Sequence, residues 1–528
     1  MKADSMFSND SPLLWLNMPA DLILALDLGT TGNRVLALGA QASLKASAYR
    51  ELEQLYPKPG WVEHDPEAIW QGVLACLAEV CGKVDMARVA GLGLSNQRET
   101  TILWERKSGK PIANAIVWQC RRTAEACQAL KPEEAWVRGK TGLLIDPYFS
   151  ASKIAWLLEH VPGARARAEA GELCFGTVDS WVLWRLTGGR VHATDASNAS
   201  RTLLYDIHSQ AWDPALLSLF GVPLSLLPQV MDSAAGFGRV AQGLPGAGLP
   251  ILAVLGDQQA GLFGQGGWRP GLLKATFGTG IFLMRCAEQG QALVPGLLST
   301  TAWRLQGQAR LALEGSIFMG GAVLQWLRDN LGLIASAAES QALAESLPGN
   351  EGVYFVPAFQ GLGAPHWDPQ ARGALMGLSR ASTKAHVVRA ALESLAFQTR
   401  DVAALMGARP GSPGSPGSPG SPGSPEALEG LEGLKALRVD GGACANDFLM
   451  QFLADICQLP VERPLAREAT ALGIAGLAGE QAGLWSREAW LAAQRLDRAF
   501  SPGISPQAAE HLNQRWQEAV RRARAWAE

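Results

Sequence analysis

Nowhere does this sequence hold the run of about 18 apolar residues that a membrane-spanning helix needs. Basic excess is missing as well. Lys and Arg number 46 against 49 Asp and Glu, a formal net charge of −3, so no field invites nucleic acid or an anionic membrane surface. None of the eight cysteines forms a CxxC pair; they scatter through apolar segments. That excludes a zinc ribbon or disulfide framework and reads as buried thiols in a reducing cytoplasm. The first twenty residues contain PLLWLNM, but Asp4 and Asp10 and the shortness of that run make a poor signal peptide. Residues 1–20 read as an extension before the first strand. A Walker A loop is absent, because Glu134 stands where the motif ending in Gly139-Lys140-Thr141 requires its first Gly. There is no dinucleotide fingerprint either.

What the chain does hold is a strand-turn-strand signal that appears twice. LILALDLGTTGNRVLALG (22–39) and LLKATFGTGIFLM (272–284) each place a Gly-Thr turn between two apolar, β-rich runs. Each is expected to be a hairpin whose turn needs glycine for positive φ. Such a turn gathers backbone N–H groups and Thr hydroxyls in a concavity that suits phosphate oxygens. Two copies half a chain apart suggest two related domains with a nucleoside triphosphate between them; two ordinary hairpins are the alternative. Strand-like runs alternate with helical spacing throughout, over 69–81 and 385–406 for example, which indicates an α/β protein. The run at 249–266 reads as a buried strand ending in a polar tetrad and then small residues, and the domain change is expected just after it, near Gly266–Pro270. Residues 410–425 repeat Gly-Ser-Pro and have no way to continue a helix or a sheet. They read as a tolerated surface insertion between a helix and a strand.

The polar residues suggest chemistry. Asp27 ends a strand beside the first turn, where a Mg²⁺ ligand is useful, directly or through water. Asp257 ends the strand of 249–266 and suits a general base, or else the cap of a following helix. Asn96-Gln97-Arg98-Glu99-Thr100-Thr101 lies between two strands. Arg98 and Glu99 together offer a donor fork and an acceptor pair for vicinal hydroxyls, or else form an ion pair in a surface turn. Tyr148 and Trp118 suit an apolar wall with a polar tip, or plain core. RVDGGACANDFLMQFLADIC (438–457) reads as a strand, a Gly-Gly break where a base or ribose can approach, and a helix with Asn446 in its first turns. A plain strand-to-helix turn is the alternative.

The strings YPKPGWVEHDP (56–66), SNQRETT (95–101), NAIVWQCRRTAE (114–125), TGLLIDPYFSASKIAWLL (141–158) and FGTVDSWVLWRLTGG (175–189) resemble the glycerol kinases of the FGGY carbohydrate kinase family. So do TDASNASRTLLYDIH (194–208), GDQQAGLFGQ (256–265), PAFQGLGAPHWDPQARG (357–373) and RVDGGACANDFLMQF (438–452). The resemblance runs from residue 21 to about 525. It implies an α/β fold of two actin-like (ribonuclease H-like) ATPase domains around a catalytic cleft. An N-terminal polyol-binding domain is then expected over 21–266 and a C-terminal nucleotide-binding domain over 267–528, with the insertion at 410–425.

The resemblance also implies roles. Arg98, Glu99, Tyr148, Asp257 and Gln258 match glycerol-binding residues, with Trp118 and Phe282 as the apolar wall and Asp257 as catalytic base. Thr30, Thr31, Gly32 and Arg34 match the first nucleotide-binding turn, with Asp27 near the metal. Thr279, Gly321, Gln325, Gly442 and Asn446 match the other nucleotide contacts. The implied activity is ATP-dependent phosphorylation of glycerol to sn-glycerol 3-phosphate with Mg²⁺, in glycerol catabolism. The implied protein is a cytoplasmic homo-oligomer, dimer or tetramer, without nucleic-acid or membrane partners. A kinase of another polyol or sugar, such as xylulose, and a non-catalytic actin-like ATP-binding module are the alternatives. The sequence departs from the family at DLGTTGNR, where Leu28, Gly32 and Asn33 replace Gln, Ser and Ser, and at the Gly-Ser-Pro repeat. The Gly-rich basic loop that binds fructose 1,6-bisphosphate in some relatives is not evident in RVAQGLPGAGLP (239–250), which puts that regulation in doubt.

Overall fold

The computed structural model describes residues 20–288, 293–408, 431, 433–466 and 468–527. The extension before residue 20 and the Gly-Ser-Pro repeat lie outside them. The first sheet joins Leu22–Leu28 (β1), Gly32–Gly39 (β2), Ser43–Glu51 (β3), Val89–Asn96 (β4) and Ile251–Gly256 (β5) in the order β5-β4-β1-β2-β3. β2 runs antiparallel to both its neighbours, β1 and β3; β4 and β5 run parallel to β1. The second sheet joins Leu272–Phe277 (β6), Ile281–Cys286 (β7), Leu298–Leu305 (β8), Gln308–Ile317 (β9), Ala436–Asp440 (β10), Val461–Pro464 (β11) and Leu496–Phe500 (β12). Its order is β8-β9-β7-β6-β10-β11-β12. Within it β7 is antiparallel to both its neighbours, β6 and β9, and β10 and β11 run parallel to β6. The inner five strands therefore repeat the order and the directions of the first sheet. This is the two-domain actin-like fold, and each Gly-Thr hairpin opens its own sheet.

Both faces of β1 are buried, which explains its unbroken apolar run. Leu24, Leu26 and Leu28 face Ile69, Val73 and Leu77 of the helix Pro66–Cys81 (α1). Ile23 and Ala25 face the opposite layer. That layer contains the helices Asp257–Gly264 (α2) and Ala469–Gln481 (α3), together with Met284 and Ala312 of the second sheet. The two helices touch backbone to backbone. A Cβ on Gly264 would lie 2.6 Å from the Ala469 carbonyl oxygen, and one on Gly473 would strike that of Ala260. One core thus spans both sheets and sets the groups at their strand ends in a fixed relation.

The turn glycines correct one sequence expectation. Gly29, Gly32, Gly278 and Gly280 all have negative or extended φ; none has the positive φ expected of the turns. Where glycine is needed, the cause is crowding. A Cβ on Gly32 would collide with Tyr49 and lie 2.6 Å from the Arg50 carbonyl, and one on Gly280 would lie 2.7 Å from that of Ile317. The family's Ser has no room at position 32. The neighbouring Asn33 is buried and donates to the Ile69 carbonyl at 3.0 Å, fastening the hairpin to α1.

The helix over 385–406 spans Lys384–Gly407 (α4). Beyond the residues left undescribed, the chain returns at once to its end: a Cβ on Gly433 would lie 2.6 Å from the Gly407 carbonyl oxygen. The repeat between them offers no apolar side chain to bury, and closing a loop costs only about 0.6 kcal/mol per doubling of length. Deleting residues 411–424 should leave turnover and Tm nearly unchanged. A loss of several degrees in a thermal melt, or of activity, would show that the segment docks on the rest of the chain.

Candidate active site

The hairpin turn Gly29-Thr30-Thr31 is held from β4. The Gln97 amide N–H donates to the Leu28 carbonyl at 2.7 Å, and its side chain donates to that of Gly29 at 3.1 Å. Residues 95–101 are all buried, which rules out a surface turn. Glu99 takes φ 59°, an uncommon left-handed conformation for a side chain of its size. Its carbonyl accepts from the hydroxyls of Ser150 at 3.0 Å and Thr101 at 3.1 Å, which hold it there. Ser150 opens the helix Ser150–His160. Buried Lys153 in that helix donates to the Tyr148 carbonyl at 2.6 Å, so DPYFSASK fixes Glu99 and Tyr148 together.

Arg98 is 3% exposed and reaches four groups. Its Nε lies 3.2 Å from the Asp257 carboxylate and its Nη1 2.5 Å from that of Glu314. Nη1 also donates to Gln259 at 3.3 Å, and Nη2 donates to the Tyr148 hydroxyl at 3.4 Å. The expected Arg98–Glu99 partnership is loose, at 3.9 Å. Glu99 instead accepts from Arg201 Nε at 2.6 Å, and Arg201 Nη2 donates to Glu314 at 2.9 Å. Two arginines and three carboxylates therefore form one cluster. Burial pushes the Tyr148 phenol well above its ordinary range, so it stays a donor.

Asp257 is the first residue of α2, and Gly256 occupies the cap position. Its Oδ1 accepts from the Gln258 amide at 2.7 Å, and the carboxylate side chain keeps 28% exposure. The Gly256 N–H in turn donates to Ser197 Oγ at 2.9 Å, anchoring the strand end. Burial raises the Asp257 pKa, against the lowering effect of Arg98. Gln258 accepts from buried Lys274 at 2.7 Å. Trp118 completes the wall, its ring centroid 5.4 Å from Tyr148 and 6.4 Å from Phe282, both edge-on. Its Nε1 donates to Thr30 Oγ1 at 2.9 Å, tying this wall to the first turn.

The second turn is ordered by the segment after β9. The Gly320 and Gly321 amides donate to the carbonyls of Thr279 and Gly278, each at 2.8 Å, and Thr279 stays exposed. Gln325 is exposed on the helix Ala322–Asp329. In the Gly-Gly break, Gly441 has φ 92° and packs 2.5 Å (as a Cβ) from the Phe277 carbonyl, whereas a Cβ on Gly442 would meet nothing. Open space at Gly442 suits a ligand. Asn446 caps the helix Asp447–Cys457, accepting from the Leu449 amide at 2.9 Å. Arg34 stands across β1–β2 from Asp27 and pairs with Glu468, and Thr31 is exposed.

Sequence reading missed Glu314, Arg201 and Lys274. The signal was present for two of them: a lone charge inside an apolar strand, Lys274 in LLKATF and Glu314 in LALEGSI, marks a buried partner. Asp27 is pushed up to about 6, by burial first and then by the charge of Asp257. Asp27 offers hard carboxylate oxygens within the field of the Asp257 charge, and a divalent cation there would offset that repulsion. No group of three or more His, Cys, Asp and Glu that could hold a metal occurs among the described residues. A single carboxylate such as Asp27 would suit Mg²⁺ if waters and substrate phosphates supplied its other ligands.

Comparison with known proteins decides the family. The N-terminal domain of the FGGY family of carbohydrate kinases matches residues 22–264, and its C-terminal domain matches residues 273–482. The chain belongs to the FGGY family of carbohydrate kinases. Among curated relatives, the glycerol kinase of Citrifermentans bemidjiense is 50% identical over 511 residues, 96% of this chain and 99% of the relative. That of Rhodospirillum centenum is 52% identical over 516 residues, 96% of this chain and 98% of the relative. The crystal structure of Plasmodium falciparum glycerol kinase with ADP superposes with a TM-score of 0.87 at 32% identity, covering 96% of this chain and 98% of that one. A xylulose kinase from Rhodospirillum rubrum, at 22% identity and a TM-score of 0.81, shares the fold over 95% of this FGGY chain and 98% of its own.

Proposed function

We infer that this chain transfers the γ-phosphoryl group of ATP to a terminal hydroxyl of glycerol, giving sn-glycerol 3-phosphate and ADP, in glycerol catabolism. The observation that carries the reading is the Asp257–Arg98 contact at 3.2 Å, on the edge of a buried charge cluster walled by Trp118, Tyr148 and Phe282. Identities of 50% and 52% to curated glycerol kinases over nearly the whole chain support the choice of substrate.

In this reading Glu99 and Asp257 accept from the hydroxyls of glycerol, and Arg98, Tyr148 and Gln258 donate to them or orient the acceptors. Trp118 and Phe282 bound the carbon side and exclude longer sugars. Asp257 takes the proton of the attacking hydroxyl. The turn at Thr30, Thr31 and Gly32, with Arg34, and the turn at Thr279 with Gly321 cradle the phosphates through backbone N–H groups and hydroxyls. Gln325, Gly442 and Asn446 border the nucleoside. Asp27 would hold Mg²⁺, directly or through water, and the bound ion would supply charge neutralisation for the transferring phosphoryl group. Catalysis is then positioning and electrostatics, with water excluded by closure of the two halves.

The same reading makes the protein cytoplasmic and homo-oligomeric, dimer or tetramer. No helix among the described residues is long and apolar enough to cross a membrane, and no disulfide joins the eight cysteines among the described residues, seven of them buried. A coupled assay with Mg-ATP and a panel of glycerol, erythritol, xylitol, xylulose and gluconate tests the substrate. Glycerol should give the highest kcat/KM. A higher value for a sugar would overturn the assignment, and ATP binding without phosphorylation of any of them would leave a non-catalytic module.

A further inference from the structure

Glu314 is fully buried, has no access to substrate, and comes from the second sheet, yet it touches the two arginines on which the polyol pocket hangs. Its oxygens are divided between them. One accepts from Arg98 Nη1 at 2.5 Å, the other from Arg201 Nη2 at 2.9 Å. A guanidinium is planar and rigid, so fixing one N–H edge fixes the direction of the others. The remaining edges of Arg98 face Asp257 at 3.2 Å and Tyr148 at 3.4 Å, and the Nε of Arg201 faces Glu99 at 2.6 Å. Arg201 also lies over the rings of Tyr148 and Phe149, at 5.5 and 5.1 Å from their centroids.

We propose that Glu314 is a positioning residue of the polyol pocket, a carboxylate that reaches from the second sheet and holds Arg98 and Arg201 of the first half in the orientation that aims Asp257, Glu99 and Tyr148 at substrate. The strand that carries it, β9, continues to Ile317, whose carbonyl abuts Gly280 of the second turn. One strand therefore runs from the floor of the pocket to the phosphate turn. The pocket is complete only when both halves contribute. Charge balance alone needs a negative group in the neighbourhood; the one-oxygen-per-arginine geometry needs a carboxylate at this length.

The inference rests on the reading of Arg98 as a glycerol ligand, and one experiment separates the two. Steady-state KM and kcat for glycerol and for ATP are measured on Glu314→Gln, Glu314→Asp, Arg201→Lys and Arg98→Ala, with thermal melts to establish folding. Gln keeps the shape but offers one acceptor oxygen in place of two. Asp keeps the charge but withdraws it by one methylene, and Lys at 201 keeps the cation without the fork. The folded members of these three should show a glycerol KM raised about tenfold or more, the scale of one charged hydrogen bond, with the ATP KM within about twofold. A folded Glu314→Asp or Arg201→Lys with wild-type glycerol KM would overturn the proposal and leave Glu314 as charge balance. So would an equal rise in both KM values. If Arg98→Ala alone raises the glycerol KM, the pocket reading stands and this inference falls; if Arg98→Ala leaves it unchanged, both fall.

Discussion

Turnover of an Asp257→Asn variant should fall by at least about a hundredfold while the protein folds and still binds Mg-ATP. A positioned general base contributes about 10²–10⁴ in rate, and Asn has no carboxylate to take the hydroxyl proton. Folding should survive because the local bonds need only an acceptor oxygen. The Gln258 amide at 2.7 Å and the Arg98 Nε at 3.2 Å both find one on Asn. The helix cap is unaffected, since Gly256 holds that position. Stability carries a second, less obvious expectation. Asp257 has a folded pKa raised above its unfolded value, so between pH 3.8 and that folded pKa the folded state binds more protons than the unfolded one. Stability contributed by this group is present at low pH and lost as pH rises through the folded pKa, leaving a penalty at pH 7. Asn removes that penalty, and it also removes the charge that adds to the effect of burial in raising the pKa of Asp27. Asn also takes one counter-charge from buried Arg98, so the two effects oppose each other and the Tm of Asp257→Asn at pH 7 should stay close to that of the parent. Near-normal turnover in the folded variant would rule out the catalytic role.

Replacing Arg98 with Ala should strike both binding and stability. Loss of a charged hydrogen bond to glycerol costs about 1.5–3 kcal/mol, which raises the glycerol KM roughly tenfold to a hundredfold. Glu99 keeps Arg201 at 2.6 Å, so the change does not strip it of a partner, as adjacency in the sequence suggests it would. The groups deprived are Glu314, left with Arg201 alone, and Asp257, which loses the strongest influence lowering its pKa. Breaking a buried ion pair from one side costs about 3–5 kcal/mol, so the melting temperature should drop clearly. Arg98→Lys separates the two effects. It keeps the cation and recovers part of the stability, but a point charge has no planar fork to serve both carboxylates, and the glycerol KM should stay high. ATP affinity should change little in either variant. Equilibrium titration with ATP and steady-state KM for glycerol read the two arms; weakened ATP binding with unchanged glycerol KM would show that this segment serves the nucleotide.

Local elements and the family's motifs could be read from the residues alone. The hairpins at 22–39 and 272–284, the helices α1 and α4, and the strand-break-helix at 438–457 were all legible, because periodicity and turn residues act over a few positions. The same holds for Asp257 at a strand end, since an apolar run that stops at a carboxylate is a local signal. Partnership between charges came from packing instead. Arg98 and Glu314 meet across 216 positions, and the duplicated strand order that brings them together is a property of two sheets sharing one core. The turn glycines make the same point: their reason was expected in φ, a local quantity, and lies in crowding by Tyr49, Arg50 and Ile317, which arrive from other strands. Local signals fix which residues can form an element. Which charges are buried against one another depends on how elements pack, and a buried charge takes its chemistry from its partner.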